Sequence, residues 1–101
     1  MSRAVVSLLL ALALAACSSG PPTPAWQMSA RSGLDAAALA WLEGRTATEA
    51  VEFTRARAAI ARTGRLDLLA RAELHRCALR TATLVFEPCA GFEALAADAS
   101  P

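Results

Sequence analysis

The sequence predicts an all-α fold, a small antiparallel bundle of three to four short helices that follows a disordered tether. Apolar residues after Trp26 recur at helical spacing, glycines stand where helices should end, and no stretch of useful length alternates apolar and polar residues as a strand does. The hydrophobic fraction of 55% is inflated by alanine and by the first sixteen residues. The predicted core is therefore small, and a domain of this size often needs a covalent staple.

The first helix of the predicted bundle begins near Ser32 and ends at Gly44. The run 32–35 (SGLD) resembles a helix start, and Gly44 is a typical stop because glycine readily takes the left-handed conformation that ends many helices. Helical spacing places four residues on its core face: Leu34, Ala38, Trp41 and Leu42.

The second predicted helix begins with the run 46–49 (TATE) and ends near Thr63, before Gly64. The run matches a capping box, in which the Thr46 hydroxyl and the Glu49 carboxylate each accept a hydrogen bond from a free backbone N–H group. The residues predicted to face the core are Ala50, Phe53, Ala56 and Ile60.

The third predicted helix begins near Leu66 and is followed by a last short helix over about 89–98. Pro88 excludes Glu87 from helical geometry, and the run 84–86 (LVF) is compatible with either a continued helix or a short extended segment. The apolar stripe of the third helix consists of Leu66, Leu69, Ala70, Leu74, Cys77 and Ala78.

The amino-terminal residues 1–16 have the plan of a secretory signal peptide. A short positive start with Arg3 precedes an uncharged apolar run over 4–16, and small residues precede Cys17. A transmembrane helix needs about 20 apolar residues, and this run is shorter. We therefore expect a leader that is removed.

The last residues of the leader, Leu14-Ala15-Ala16, and the following Cys17 resemble the lipobox of bacterial lipoprotein precursors. The resemblance implies that Cys17 receives diacylglycerol, that signal peptidase II cleaves before it, and that the new amino terminus is acylated as well. The mature chain would begin at Cys17 with two or three fatty chains such as palmitate. The alternative is an ordinary secretory leader with a cysteine at this position by chance.

The lipoprotein resemblance also predicts a location and a domain organisation. Ser18 replaces the aspartate that commonly retains such proteins in the inner membrane, so we expect the periplasmic face of the outer membrane, with Ser19 leaving an inner-membrane position open. The predicted domains are the signal peptide at 1–16, a lipidated and Pro/Ser-rich tether at 17–28, a helical domain at 29–98 and a tail at 99–101.

The two remaining cysteines, Cys77 and Cys89, are predicted to form a disulfide. With Cys17 lipidated they would be an even pair in an oxidising compartment, and the closed loop would stabilise the domain by about 3 kcal/mol. Because a disulfide needs Cα atoms within about 7 Å, the third helix should end near 81–83. A metal site with His75 is disfavoured, since His75 and Cys77 point in different directions on a helix. We predict no metal and no cofactor.

The charged residues indicate solvated helix faces rather than a reaction centre. One of the ten basic residues, Arg3, lies in the leader, so the rest of the chain has nine arginines and nine acidic residues. This even charge balance argues against nucleic-acid binding. His75 is predicted to be partly solvated, and no serine or cysteine is placed to act with it as a nucleophile. The one uneven patch, a solvated face or a contact for anionic lipid or an acidic partner, is Arg55, Arg57, Arg62 and Arg65.

The function predicted from these patterns is that of a small membrane-anchored envelope lipoprotein. Its helical module is expected to be non-catalytic, without catalytic residues, and to have a structural or protein-interaction role with an envelope protein. Two alternatives stay open: a pilotin-like chaperone, which would need an apolar groove for a partner helix, and a small ligand-binding or enzymatic domain, which would need a pocket with convergent polar groups.

Overall fold

The computed structural model describes residues 2–18 and 20–99, apart from the side chains of residues 16–18. Within this part of the chain the fold is all-α, as predicted, and contains no strand. The elements in order are α1 (Ser2–Ser18), α2 (Ala25–Leu42), α3 (Thr46–Ala61), α4 (Leu66–Ala82), α5 (Ala90–Glu93) and a final 3-10 turn (Ala96–Asp98).

Helix α1 covers the predicted leader and continues to Ser18, and its described side chains are exposed. None of the helices in the described part of the chain has both the length and the apolar character needed to cross a membrane. The thiol of Cys17 and the end of the predicted tail, residues 100–101, lie outside the described residues.

Helix α2 begins at Ala25, so the predicted start near Ser32 is wrong. Pro24 precedes the helix in an extended conformation, and Trp26 packs against the core from the first turn. The irregular segment after α1 therefore ends at Pro24, and the folded bundle begins four residues before the expected boundary at 29. Gly33, taken as part of a helix start, lies in the middle of α2.

The contact between α2 and α3 explains why a glycine stands at position 33. A Cβ atom on Gly33 would lie 2.8 Å from the Cβ of Ala56 and 3.0 Å from the carbonyl oxygen of Glu52, closer than real Cβ atoms pack. The two helices form an antiparallel hairpin whose backbones approach closely because the buried contact residues are small: Ala30, Ala37, Ala40, Ala56 and Ala59.

The turn between α2 and α3 ends one helix as predicted and starts the next one differently. Gly44 has a φ of +77°, and Arg45 N–H donates to the carbonyl of Ala40 at 2.8 Å, a pattern that satisfies free carbonyls at a helix end. The predicted capping box is wrong, because Thr46 is already the first residue of α3 and no side chain caps its N-terminus. Glu49 turns inward instead and is buried.

Helix α4 begins at Leu66 and ends at Ala82, both as predicted, but its inner face is rotated from the expected stripe. Leu69, Ala70 and Cys77 of the predicted stripe are buried, whereas Leu66 and Leu74 are 44% and 46% exposed and Ala72, outside the stripe, is buried. The same inner face carries charged residues that ion pairs hold in place, and this is why the apolar stripe alone misplaces it. The predicted core residues Leu42, Ala50 and Ala78 are likewise exposed.

The chain after α4 forms an arm, defined here as residues 84–99, that returns along the flank of α4. Leu84 starts it with a φ of +67°, a left-handed conformation that is strained in a non-glycine residue and here closes the end of α4. The run 84–86 is irregular and exposed, which excludes a continued helix. The predicted last helix is split into α5 and the 3-10 turn, and Leu95 packs against the core.

We expect Gly33→Ala to lower the free energy of unfolding by about 1 to 3 kcal/mol, the usual cost of overpacking. The substitution improves intrinsic helix propensity by about 1 kcal/mol. A net loss therefore measures the steric conflict with Ala56 and the Glu52 carbonyl. Urea denaturation followed by circular dichroism tests this, with Ser32→Ala on the exposed side of α2 as the control. A stability gain of equal size in both variants would contradict the close approach.

Candidate functional site

The bundle contains a buried carboxylate, that of Glu49 in the first turn of α3, whose side chain is only 5% exposed. Arg76 of α4 donates two hydrogen bonds to it, from Nε to Oε1 at 2.7 Å and from Nη2 to Oε2 at 2.9 Å. Arg80 adds a third from Nη2 at 3.4 Å. Two parallel bonds between guanidinium and carboxylate form the strongest geometry for such a pair, and they join α3 to α4.

The two arginines also lie over aromatic rings of the neighbouring helices. The Cζ atom of Arg76 is 4.3 Å from the centroid of Phe53, and that of Arg80 is 4.7 Å from the centroid of Trp41. Each guanidinium therefore has a carboxylate at its edge and a ring at its face. Trp41 in turn donates from Nε1 to the Thr83 hydroxyl at 2.9 Å, which joins the end of α2 to the end of α4.

The arm enters the same arrangement through Glu87, which lies 3.2 Å from Nε of Arg80. We refer to Glu49, Arg76, Arg80 and Glu87 as the central cluster. Its two positive and two negative charges compensate one another. The hydrogen bond to Glu49 raises the pKa of Arg76, and the Glu49 charge acts in the same direction against desolvation. Arg76 therefore keeps its charge inside the bundle.

The residues considered for catalysis or metal binding are not brought together. His75 is exposed, and Cys77 and Cys89 are joined in a disulfide with Cα atoms 5.6 Å apart. Within the described part of the chain, no three histidine, cysteine or acidic side chains are placed to hold a metal ion.

Besides the ion pair between Arg80 and Glu87, the disulfide and a close approach at Gly91 join the arm to α4. A Cβ atom on Gly91 would overlap the present position of the Glu73 carboxylate, so a larger residue there would displace the end of that side chain. Glu73 is also held from the other side by Nε of Arg57 at 3.0 Å. The arm thus contacts α4 at Cys77 and at Glu73, which lie one helical turn apart on that helix.

The predicted arginine patch is divided among separate ion pairs. Arg55 binds Glu52 at 2.8 Å, Arg57 binds Glu73, and Arg65 binds Asp67 at 2.7 Å, whereas Arg62 forms no ion pair with any described residue. The hydrogen bonds from Arg65 hold the pKa of Asp67 below its ordinary value, and backbone N–H groups at the start of α4 act in the same direction. The patch is therefore not a continuous positive surface.

A groove runs between α2 and α4 on the side of α4 away from the arm, with a cavity volume of about 480 Å³. We refer to it as the α2/α4 groove. It begins beside Trp26, where the chain enters the bundle, and ends near His75. Its apolar lining consists of Trp26, Ala30, Leu34, Ile60, Leu68 and Ala72, and its polar lining consists of Gln27, Arg31, Asp35, Arg71 and His75.

Sequence reasoning missed the central cluster and the groove, although part of the signal was present. Glu73, Arg76 and Arg80 follow Leu69 at intervals of three and four, so they share its helical face. A charged residue on a core face needs a partner of opposite sign, and only the fold supplies Glu49.

Comparison with protein-family models, with curated proteins and with solved structures found no match.

We expect Glu49→Gln to destabilise the bundle by about 3 kcal/mol, because it leaves Arg76 charged and desolvated without its counter-charge. The glutamine has nearly the same shape, so the loss reports the charge rather than packing. Thermal and urea unfolding measure it.

The matched control for Glu49→Gln is Glu43→Gln, which removes the carboxylate of a half-exposed pair with Arg45. Exposed pairs contribute less than about 1 kcal/mol. Equal losses for Glu49→Gln and Glu43→Gln would show that the central cluster does not stabilise the fold.

We expect the double variant Cys77→Ser, Cys89→Ser to lose about 3 kcal/mol of stability, because the unfolded chain regains the entropy of the closed loop. Hydrogen exchange should also become faster in residues 90–98 than in α2 and α3, since the arm loses its covalent attachment. Unchanged protection of the arm would mean that the Glu73 and Leu95 contacts hold it without the disulfide.

Proposed function

We propose that this protein is a small lipoprotein anchored in the bacterial envelope through Cys17, with a non-catalytic helical domain that has a structural or protein-interaction role. The observation that carries the proposal is the run Leu14-Ala15-Ala16-Cys17 at the end of an apolar leader, followed within eight residues by the first residue of the folded bundle, Ala25. A lipidation signal and a folded domain are thus separated only by a short segment.

The short segment limits how far the bundle can lie from the membrane. Residues 18–24 include three prolines, and an extended proline-rich chain spans about 3.1 Å per residue, which gives a reach of about 20 Å. Two or more fatty chains on Cys17 would hold the protein firmly, whereas one chain binds a bilayer only marginally. The end of the bundle with Ala25 would then lie close to the headgroups.

The proposed location is the periplasmic face of the outer membrane. Two observations support it: Ser18 follows the lipidated cysteine where an inner-membrane lipoprotein commonly has aspartate, and Cys77 and Cys89 form a disulfide, which persists in an oxidising compartment.

The use of the buried charges supports a non-catalytic role. Catalytic carboxylates and histidines are typically placed in a pocket where they reach a substrate. Here the Glu49 carboxylate is engaged by Arg76 and Arg80 inside the bundle, and the imidazole of His75 lies on the exposed side of α4. The carboxylate joins α3 to α4, and the cavity that both groups line, about 10 Å³, has room for no more than about one water molecule.

We expect Cys17→Ser to abolish both lipid attachment and leader cleavage. Wild-type protein in cells given an alkyne-labelled palmitate should carry the label, migrate as the processed form and fractionate with outer membranes. The Cys17→Ser variant should be unlabelled and remain a precursor. Processing and membrane retention of this variant at wild-type levels would contradict the lipoprotein proposal.

The matched control is the double variant Cys77→Ser, Cys89→Ser, which removes the other two cysteines but leaves the lipobox intact. It should be labelled and processed like the wild type. Ser18→Asp tests the location separately, since it should move the labelled protein toward the inner-membrane fraction.

A further inference from the structure

Helix α4 separates two grooves, of which the chain itself fills one. Glu73 and Cys77 contact the arm, whereas Leu68, Ala72 and His75 line the α2/α4 groove. Successive helix residues are about 100° apart, so these two sets lie on opposite flanks of α4. On the arm side a short helical segment covers the flank and inserts one apolar side chain, Leu95, toward the core. That arrangement indicates what kind of segment suits the other flank.

The dimensions of the α2/α4 groove fit a helix. On α2 its lining extends from Trp26 to Asp35, about 13 Å at 1.5 Å per residue, which matches two to three turns of another helix. α2 and α4 both pack on α3 and are joined to each other at their far ends through Trp41 and Thr83. Near Trp26 they leave the position of a fourth helix open.

The charges beside the groove favour an acidic occupant. Arg71 forms no ion pair with any described residue, and Arg31 lies only within 4.0 Å of Asp35, with both side chains largely exposed. In the pairs formed by the other bundle arginines, the nitrogen and oxygen atoms lie at most 3.4 Å apart. The positive charges that still lack a close partner thus include two that border this apolar groove.

We infer that the α2/α4 groove binds an acidic amphipathic helix of two to three turns from a partner protein in the envelope. Apolar side chains at intervals of three or four would contact Ala30, Leu34 and Leu68, and carboxylates beside them would contact Arg31 and Arg71. The inference rests on the protein-interaction role proposed above and names the class of partner.

A peptide titration tests the inference with the full-length protein in a non-ionic detergent. The probe is a fluorescein-labelled helical peptide with leucines at positions i, i+3 and i+7 and glutamates on both sides of this stripe. A second peptide has lysine in place of every glutamate. Fluorescence anisotropy should show saturable binding of the glutamate peptide, about tenfold tighter than that of the lysine peptide.

The variant Arg71→Glu should weaken binding of the glutamate peptide about tenfold and strengthen binding of the lysine peptide, because it reverses one charge beside the groove. Arg71 is exposed, so the bundle should fold normally. The matched control is Arg45→Glu, which reverses an exposed arginine at the far end of α2, outside the lining of the groove. It should change either affinity less than about twofold.

Four results would overturn the inference. Three concern the peptides: no saturable binding of the glutamate peptide, equal affinity for both peptides, or equal effects of Arg71→Glu and Arg45→Glu. The fourth is an Arg71→Glu variant that weakens binding to phosphatidylglycerol vesicles but leaves peptide binding unchanged. Self-association in analytical ultracentrifugation that Arg71→Glu abolishes would also overturn it, since the occupant would then be a second copy. The anchoring test on Cys17 reads a different property. Failure of the lipid anchor and failure of the groove are therefore distinguishable.

Discussion

The carboxylate of Glu49 constrains the position of every helix in the bundle. A charge removed from water must be matched by an opposite charge and by hydrogen bonds, or the fold loses several kcal/mol. Arg76 can meet this requirement only if α4 lies against α3 in one register, and Arg80 can join it only if the end of α4 also reaches Trp41. The arm follows, since Glu87 binds the same Arg80.

An ion pair has this influence because the apolar core alone does little to fix the register of the helices. Most of its buried members are alanines, which pack at close range but bury little area and offer few shapes that interlock. Phe53, Ile60 and Leu69 are the larger buried side chains. Directional hydrogen bonds supply the register that interlocking side chains supply in larger cores, and the disulfide supplies stability that a small core lacks.

Local signals in the sequence predicted where the helices end. Residues whose role depends on a partner distant in sequence were assigned wrongly. Gly44 ends α2 because a left-handed residue is needed there, and α4 ends at Ala82 because Cys89 must return to Cys77. Gly33 looked like another boundary, because a glycine at a helix boundary and a glycine at a helix crossing are alike in sequence. What distinguishes them is Ala56, which only the fold brings near.

The same ambiguity explains why the candidate site was predicted only in part. Glu49 matched a capping box by spacing, and Arg76 and Arg80 matched a solvated face. Each pattern, taken alone, more often indicates a helix cap or a solvated face than a buried ion pair. The disulfide could be predicted from the sequence because Cys77 and Cys89 have few other possible bonding partners. The α2/α4 groove was not, since it depends on the early start of α2 at Ala25, which brings Trp26, Ala30 and Arg31 opposite α4.

The central cluster and the groove are connected through α4, and this has a consequence for binding. Arg76 fixes α4 from the inside through Glu49, while its neighbour His75 and the preceding turn with Ala72 form a wall of the groove. The walls are therefore set without a partner, and association with the proposed helix would require little ordering of this chain. Because the groove begins beside Trp26, where the tether enters the bundle, the near end of a helix seated in it would lie roughly 20 Å from the proposed lipid anchor. An anchor at Cys17 would then contribute to specificity, since it would restrict the groove to partners whose acidic helix lies close to the membrane surface.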